Sequence, residues 1–272
     1  SHSIFALPFA LVAMLYAAQG FPSWQTIGLI IVCMVTARNA AMAFNRWADA
    51  DIDALNPRTR DRHIPKGILS RHFVLLFCVA NSLLFVTATY WINALAFALS
   101  VPVLLILLGY SYTKRLSIYS HYVLGFSLGM APVGAWIAVT GVFVSPAWWL
   151  CLAVLCWVAG FDIIYACQDV EFDRRSGLVK SIPQRWGVAK ALAWSRILHG
   201  AMIILLLVFL IRVHAGSAAL TGTLVVLAFL IYEHRLLKGN RLDKINAAFF
   251  NANGMIAVAF LLFVLADVMA LP

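Results

Sequence analysis

Residues 43–67 read AFNRWADADIDALNPRTRDRHIPKG. A row of carboxylates and then a row of arginines follow directly on a hydrophobic run, and their surroundings decide what kind of molecule this is. The chain of 272 residues is 63% apolar and only 11% charged, with a mean hydropathy of +0.91, which places it among membrane proteins. A helix needs about 20 apolar residues to cross a hydrocarbon core of about 30 Å. Nine stretches approach that length, at about 4–20, 24–45, 71–90, 92–110, 119–140, 146–167, 189–211, 215–232 and 245–270. They are continuously apolar, whereas a transmembrane barrel strand alternates at period two. The expected fold is all-α: a polytopic membrane protein with nine transmembrane helices in a single domain spanning 1–272. The first stretch, IFALPFALVAMLYAAQG (4–20), has no basic leader before it and further spans behind it, so it reads as a retained helix rather than a signal peptide.

Charge sets the expected orientation. Of the 20 Lys and Arg, 17 fall after the second, fourth, sixth and eighth spans: Arg46 to Arg71, Lys114 and Arg115, Arg174 to Lys190, and Arg235 to Lys244. The positive-inside rule puts these loops and the N-terminus in the cytoplasm and the C-terminus outside. The net charge of +9 is therefore mostly a topology signal, with contact to anionic lipid as its further reading. Basic residues that flank spans without a recognition fold do not make a nucleic-acid module. The five cysteines, at 33, 78, 151, 156 and 167, lie in apolar spans without paired ligand spacing, as small core residues do.

Acid is confined more tightly still. Of 11 Asp and Glu, four lie in 49–61 and four in 162–173, after spans two and six. Asn45, Asp49 and Asp53 recur every four residues, so on a helix all three share one face while Asp51 points elsewhere into solvent. Asp169 and Asp173 repeat the spacing, with Asp162 about two turns earlier beside Tyr165 and Gln168. The pairs Asp49/Asp169 and Asp53/Asp173 are each 120 residues apart, and HIPKG (63–67) follows the first cluster as SIPQRWG (181–187) follows the second. Duplication of a four-helix unit explains the match. It gives repeats at 1–115 and 116–240, a ninth helix, and a cavity at the centre.

Like carboxylates four residues apart repel one another, and the arrangement asks for a cation. With no His or Cys beside the acids, a hard ion such as Mg²⁺ suits the oxygen donors better than zinc. Arg58, Arg62 and Lys66 after the first cluster, Arg174, Arg175 and Lys180 after the second, and Lys114 in a third inner loop are expected to converge on further negative charge, a phosphate or diphosphate. A diphosphate on a hydrocarbon tail would explain a site of this kind at a membrane surface. The alternative for each cluster is a solvated, ion-paired helix end.

NRWADADID (45–53) with NPRTRDRHIPKG (56–67), together with FDIIYACQDVEFD (161–173), resembles the two aspartate-rich signatures of the UbiA superfamily of intramembrane aromatic prenyltransferases, especially its para-hydroxybenzoate branch. GYSYTKR (109–115) and AAFFNANG (247–254) also fall where that family has them, so the resemblance covers nearly the whole chain. It implies an enzyme that joins a polyprenyl diphosphate to a small aromatic acid such as 4-hydroxybenzoate in quinone biosynthesis, with a dihydroxynaphthoate or another acceptor as the alternative. The family's first signature opens Asn-Asp, and Arg46 stands here in place of that aspartate. Asn45, Asp49 and Asp53 carry over as metal ligands, and Arg46 passes instead to phosphate contact.

On that reading two Mg²⁺ ions, held by Asn45, Asp49, Asp53, Asp169 and Asp173, neutralise the leaving diphosphate, assisted by Arg58, Arg62 and Lys114. Burial among apolar helices keeps water from the allylic cation. Asp162 is the candidate to orient the phenol or take a proton, and Tyr110 and Tyr165 are candidates to shield the cation. Arg38, about two turns inside span two and seven residues before Asn45, points toward the same cavity and is expected to pair with the substrate carboxylate. The lipid bilayer is the expected surrounding, and nothing in the chain implies a protein partner. His121, His199 and His214 lie near span ends without ligand partners and read, like Arg196, Asp267 and the Trp148 and Trp149 pair, as packing or interfacial residues. Asn251, Asn253 and Gly254 either bend span nine or reach a cavity. A secondary transporter is the rival from another class, but its ionisable groups would sit near the bilayer midplane.

Overall fold

A computed structural model describes residues 3–239, 245 and 253–270. Among them helices are the only regular secondary structure. The elements are α1 (Ser3–Ala18), α2 (Trp24–Ala48), α3 (Ala50–Leu55), α4 (Arg71–Ile92), α5 (Ala94–Leu116), α6 (Ser120–Thr140), α7 (Ser145–Ala166), a 3₁₀ turn (Cys167–Asp169), α8 (Val170–Ser176), α9 (Ile182–Trp186), α10 (Val188–Arg212), α11 (Ser217–Leu236) and α12 (Asn253–Met269). Seven helical segments are long and apolar enough to cross a membrane: α2, α4, α5, α6, α7 continued through α8, α10 and α11. The first and last expected spans correspond to the shorter apolar helices Phe5–Ala18 and Asn253–Met269. Most of AAFFNANG, including Asn251, lies outside the described residues.

Hydrocarbon offers no partner to a backbone amide, so each span must close its own ladder and cap its ends. Side chains do the capping at several starts: Ser23, Ser70 and Asn93 accept from the backbone N–H of Thr26, Phe73 and Ala96. Asn93, extended at φ −168° and ψ 169°, is the single residue separating α4 from α5, and its amide also donates to the Ile137 carbonyl on α6 at 2.8 Å. That contact holds the α4–α5 corner beside the far end of α6.

The core centres on α7. Leu150, Cys151, Ala153, Val154, Trp157 and Val158 are wholly buried, with α6, α10 and α1 packed around them. Lipid and side chains are equally apolar, so close backbone approach drives this packing more than water exclusion does. Gly125 and Gly129, one turn apart on α6, permit it: a Cβ on either would come within 2.5 or 2.6 Å of the Leu155 or Cys151 carbonyl oxygen. Outward-facing Leu76, Leu83, Leu105, Ile204, Ile211 and Leu224 expose more than half their surface, as residues against lipid do.

The α6–α7 contact carries an expected outcome. Gly129→Val should force the two helices apart and cost about 1–3 kcal/mol by overpacking. Thermal unfolding in detergent should show a lower midpoint, whereas Gly134→Ala, where a Cβ meets nothing within 4 Å, should leave it unmoved.

Candidate active site

Asp49 ends α2, yet the helical ladder runs straight through it. Its N–H donates to the Asn45 carbonyl at 3.0 Å, and the Asp53 N–H donates to the Asp49 carbonyl at 2.8 Å. Asn45, Asp49 and Asp53 thus share one face, and Asp51 is turned outward, paired with the exposed Arg71. The second cluster repeats the backbone. Asp169 (φ −101°, ψ 3°) has nearly the dihedral angles of Asp49 (φ −92°, ψ 0°), and each opens a short helix that carries the next aspartate.

Both tips face one cavity of about 450 Å³. Its lining includes Asn45, Arg46, Asp49, Asp53, Arg58, Arg62 and Lys114 from the first half of the chain and Asp162, Tyr165, Asp169 and Asp173 from the second, with Arg38 and Tyr110 among them. The residues expected to hold metal, Asn45, Asp49, Asp53, Asp169 and Asp173, are all there, as are Arg38, Tyr110, Asp162 and Tyr165. Burial of Asp49, Asp53 and Asp173, each 5% exposed or less, makes their charges expensive unless they are matched. Lys114 pairs with Asp49, and Arg115 stands 3.5 Å from its other oxygen. Arg62 lies 2.7 and 2.8 Å from the two oxygens of Asp53, with Arg46 at 3.9 Å. Asp173 accepts from the Ser181 hydroxyl at 3.4 Å and has no ion pair among the described residues.

One arginine ties the tips together. Asn56 accepts from the Arg58 N–H at 2.9 Å, an Asx turn that folds the loop after α3 back over the cavity. Asn56 then donates to Asp169 at 3.0 Å, and Arg58 forks onto both Asp169 oxygens, with Nε at 2.8 Å. The third Arg58 nitrogen reaches the Tyr165 hydroxyl at 3.0 Å, and its guanidinium lies 5.2 Å from that ring's centroid. Burial works against the Arg58 charge, but the Asp169 bond outweighs it and holds the guanidinium above its ordinary value.

Three expected contributors lie elsewhere. Lys66 pairs with exposed Asp61 at 3.2 Å, Arg174 donates to the Gln184 carbonyl at 3.2 Å, and Arg175 stands 3.9 Å from exposed Glu171. Lys66 on the loop after α3 and the two arginines in the last turn of α8 have such local partners within reach, and all three take them. Lys180 does line the cavity, its N–H bonded to the Lys114 carbonyl at 2.7 Å.

Deeper in, Arg38 has no ion-pair or hydrogen-bond partner among the described residues. His121 corrects the expectation of a histidine without partners: it is buried, lines the cavity, and stands 2.7 Å from an Asp162 oxygen. Nothing in its own span's pattern announces a partner 41 residues away. His199 is also networked, 3.0 Å from His234 and 3.2 Å from the Trp157 carbonyl, and is not part of the cavity lining. Asp267 caps α11 by accepting from Gly216 and Ala219 backbone N–H groups and from the Tyr16 hydroxyl, a packing role as expected.

Asn45 and the four aspartates offer only oxygen donors toward a cation, and a buried oxygen of Asp49 has no hydrogen-bond partner, so the set fits a hard divalent ion. No three acidic, His or Cys side chains among the described residues close on one point. Such an ion would draw its remaining oxygens from ligand and water.

Residues 6–264 match the UbiA prenyltransferase family. The chain belongs to that family. It is 30% identical over 251 residues to a 4-hydroxybenzoate octaprenyltransferase of Nitrosomonas eutropha, covering 90% of this chain and 85% of that one. The apo UbiA homologue of Aeropyrum pernix K1 superimposes with a TM-score of 0.89 at 32% identity, covering 98% of both chains. The Archaeoglobus fulgidus UbiA homologue bound to DMAPP and Mg²⁺ shares the fold, with a TM-score of 0.74 at 20% identity over 99% of this chain and 96% of that one. This UbiA protein is thus an integral membrane prenyltransferase.

Arg58→Lys keeps the positive charge but cannot fork onto a carboxylate. In this UbiA enzyme it should slow prenyl transfer by about tenfold or more, read as prenylated product formed per unit time.

Proposed function

We propose that this enzyme transfers a polyprenyl group from polyprenyl diphosphate to a ring carbon of an aromatic acid such as 4-hydroxybenzoate, in quinone biosynthesis. One observation carries the reading: carboxylates from two helix tips 120 residues apart and cations from three segments line a single cavity that continues down between apolar helices. Four aspartates with Arg46, Arg58, Arg62 and Lys114 match a diphosphate accompanied by divalent cations. Phe5, Ile30, Phe85, Leu99 and Leu107 line the apolar part, which suits a hydrocarbon tail.

We read Asn45, Asp49, Asp53, Asp169 and Asp173 as the groups that would hold two Mg²⁺ ions. The ions supply charge neutralisation to the leaving diphosphate. Arg58, Arg62 and Lys114 exchange their carboxylate partners for phosphate oxygens as the allylic C–O bond breaks, and Arg46 adds a further contact. The apolar wall excludes water that would otherwise capture the allylic cation. Tyr110 and Tyr165 shield that cation, and Tyr165 is already positioned by Arg58. The electron-rich ring attacks, and Asp162 receives the ring proton. Arg38, with no acid paired to it among the described residues, takes the acceptor's carboxylate.

The same reading places nine spans in the bilayer, with the two shorter apolar helices completing the seven, two four-helix units at 1–115 and 116–240, and the site facing the cytoplasm. The matched backbone at Asp49 and Asp169 supports the repeat, and the bias of Lys and Arg supports the orientation. A dihydroxynaphthoate is the alternative acceptor, since it too offers a carboxylate to Arg38. The transporter reading is weakened by the acids' gathering at helix tips rather than mid-span.

The test is turnover in detergent. With Mg²⁺, a short prenyl diphosphate and 4-hydroxybenzoate, the protein should yield pyrophosphate and a C-alkylated phenol, and activity that appears only in sealed vesicles as solute flux would contradict the reading. Chelation by EDTA should abolish product, and excess Mg²⁺ should restore it. Arg38→Ala should raise KM for the aromatic acid by about 10²-fold while leaving KM for the prenyl diphosphate within about twofold. Equal effects on both substrates would contradict the assignment.

A further inference from the structure

We infer that His121 is a positioning residue that aims Asp162 at the acceptor and reports the state of the second acidic tip to it; this rests on the aromatic-acceptor reading above. His121 sits in the first turn of α6, 3% exposed, and touches two other elements. Its Nδ1 is 2.7 Å from Asp162 Oδ2 on α7, and its Nε2 receives the backbone N–H of Ile182 at 3.3 Å.

These contacts determine where the ring proton lies. A backbone N–H can only donate, so Nε2 presents its lone pair and the proton is on Nδ1, donated to Asp162. A second ring proton would break the bond to Ile182. His121 is therefore not the base. It fixes one Asp162 oxygen and leaves the other, Oδ1, without a hydrogen-bond partner among the described residues, on the cavity wall.

Ile182 opens α9, and its N–H is one of the first-turn donors that a helix cannot satisfy internally. The preceding residue, Ser181, caps the same helix by accepting from the Gln184 N–H and donates its hydroxyl to Asp173. A continuous hydrogen-bonded path thus runs from Asp173 through the start of α9 and the His121 ring to Asp162, tightest at its His121–Asp162 end. The group that meets the diphosphate and the group that meets the phenol are held in register by one imidazole.

The step served balances simply. The allylic C–O bond breaks with its electron pair leaving on the diphosphate, the ring supplies the pair for the new C–C bond, and the ring C–H proton passes to Asp162 Oδ1, restoring aromaticity. Asp162 then releases the proton to solvent. His121 neither gains nor loses one.

Two conservative variants separate the contacts. Asn places an amide nitrogen where Nδ1 stands and keeps the donor to Asp162, while Gln reaches the Nε2 position and keeps only the Ile182 side. In nanodiscs with Mg²⁺, geranyl diphosphate and 4-hydroxybenzoate, His121→Gln should lower kcat by about 10²-fold with KM for geranyl diphosphate within about twofold. His121→Asn should retain at least about tenfold more kcat than His121→Gln, and the double variant His121→Gln/Asp162→Asn should be no slower than Asp162→Asn alone. Nitrogen-15 NMR of histidine-labelled wild type, assigned by the signal lost in His121→Asn, should show Nδ1 protonated and Nε2 bare. Equal losses in the Asn and Gln variants, additive losses in the double variant, or a proton on Nε2 would each overturn the inference. A wild-type protein that alkylates no phenol would overturn the reaction reading instead, and the tautomer would then decide the positioning by itself.

Discussion

The fork between Arg58 and Asp169 is the contact on which the site depends. It joins a loop that follows the first acidic tip to the second tip, across 111 residues of chain, and it converts two charged helix ends into one basin. Removing these carboxylates from water is costly, and each is tolerated because a neighbouring segment delivers a cation or a hydroxyl to it. The pairing is also what makes the site responsive. An anion with several oxygens can take the arginines and lysine, and a divalent ion can take the acids, so both partners of each pair find replacements in the same ligand.

The scaffold explains why this arrangement holds still. α7 carries Asp162 and Tyr165 and runs into the turn with Asp169, and it is also the most buried long helix, gripped on α6 by the glycine contacts at Leu155 and Cys151. The residues proposed to meet the acceptor are thus mounted on the most buried long helix of the fold. The other tip is held from α5, whose last turn supplies both Lys114 and Arg115 to Asp49. That end of α5 also receives the segment between α8 and α9 through the Lys180 N–H. Polar contacts between helix ends, more than apolar burial, fix the geometry at this face.

Much of this was legible in the sequence because it is local. Apolar run length announces a span, and a spacing of four announces a shared helix face, so the acidic clusters and Arg38 were placed on one cavity from the chain alone. What local pattern cannot express is a partner chosen across distance. Lys66, Arg174 and Arg175 have the same charge as Arg62 and, like it, follow an acidic tip, yet they turn to Asp61, the Gln184 carbonyl and Glu171. His121 was passed over for the same reason, since its meaning comes from Asp162 and from an unsatisfied N–H at the start of α9.

The central claim is that both tips serve one headgroup. A structure of the protein with Mn²⁺ in place of Mg²⁺ and an unreactive thiolodiphosphate analogue of geranyl diphosphate tests it most directly, because anomalous scattering locates each metal. The account predicts one metal within coordination distance of Asp49 and Asp53, another within coordination distance of Asp169 and Asp173, and a single diphosphate bridging them. Metal and diphosphate confined to one tip, with Arg58 still clasped to Asp169, would contradict it.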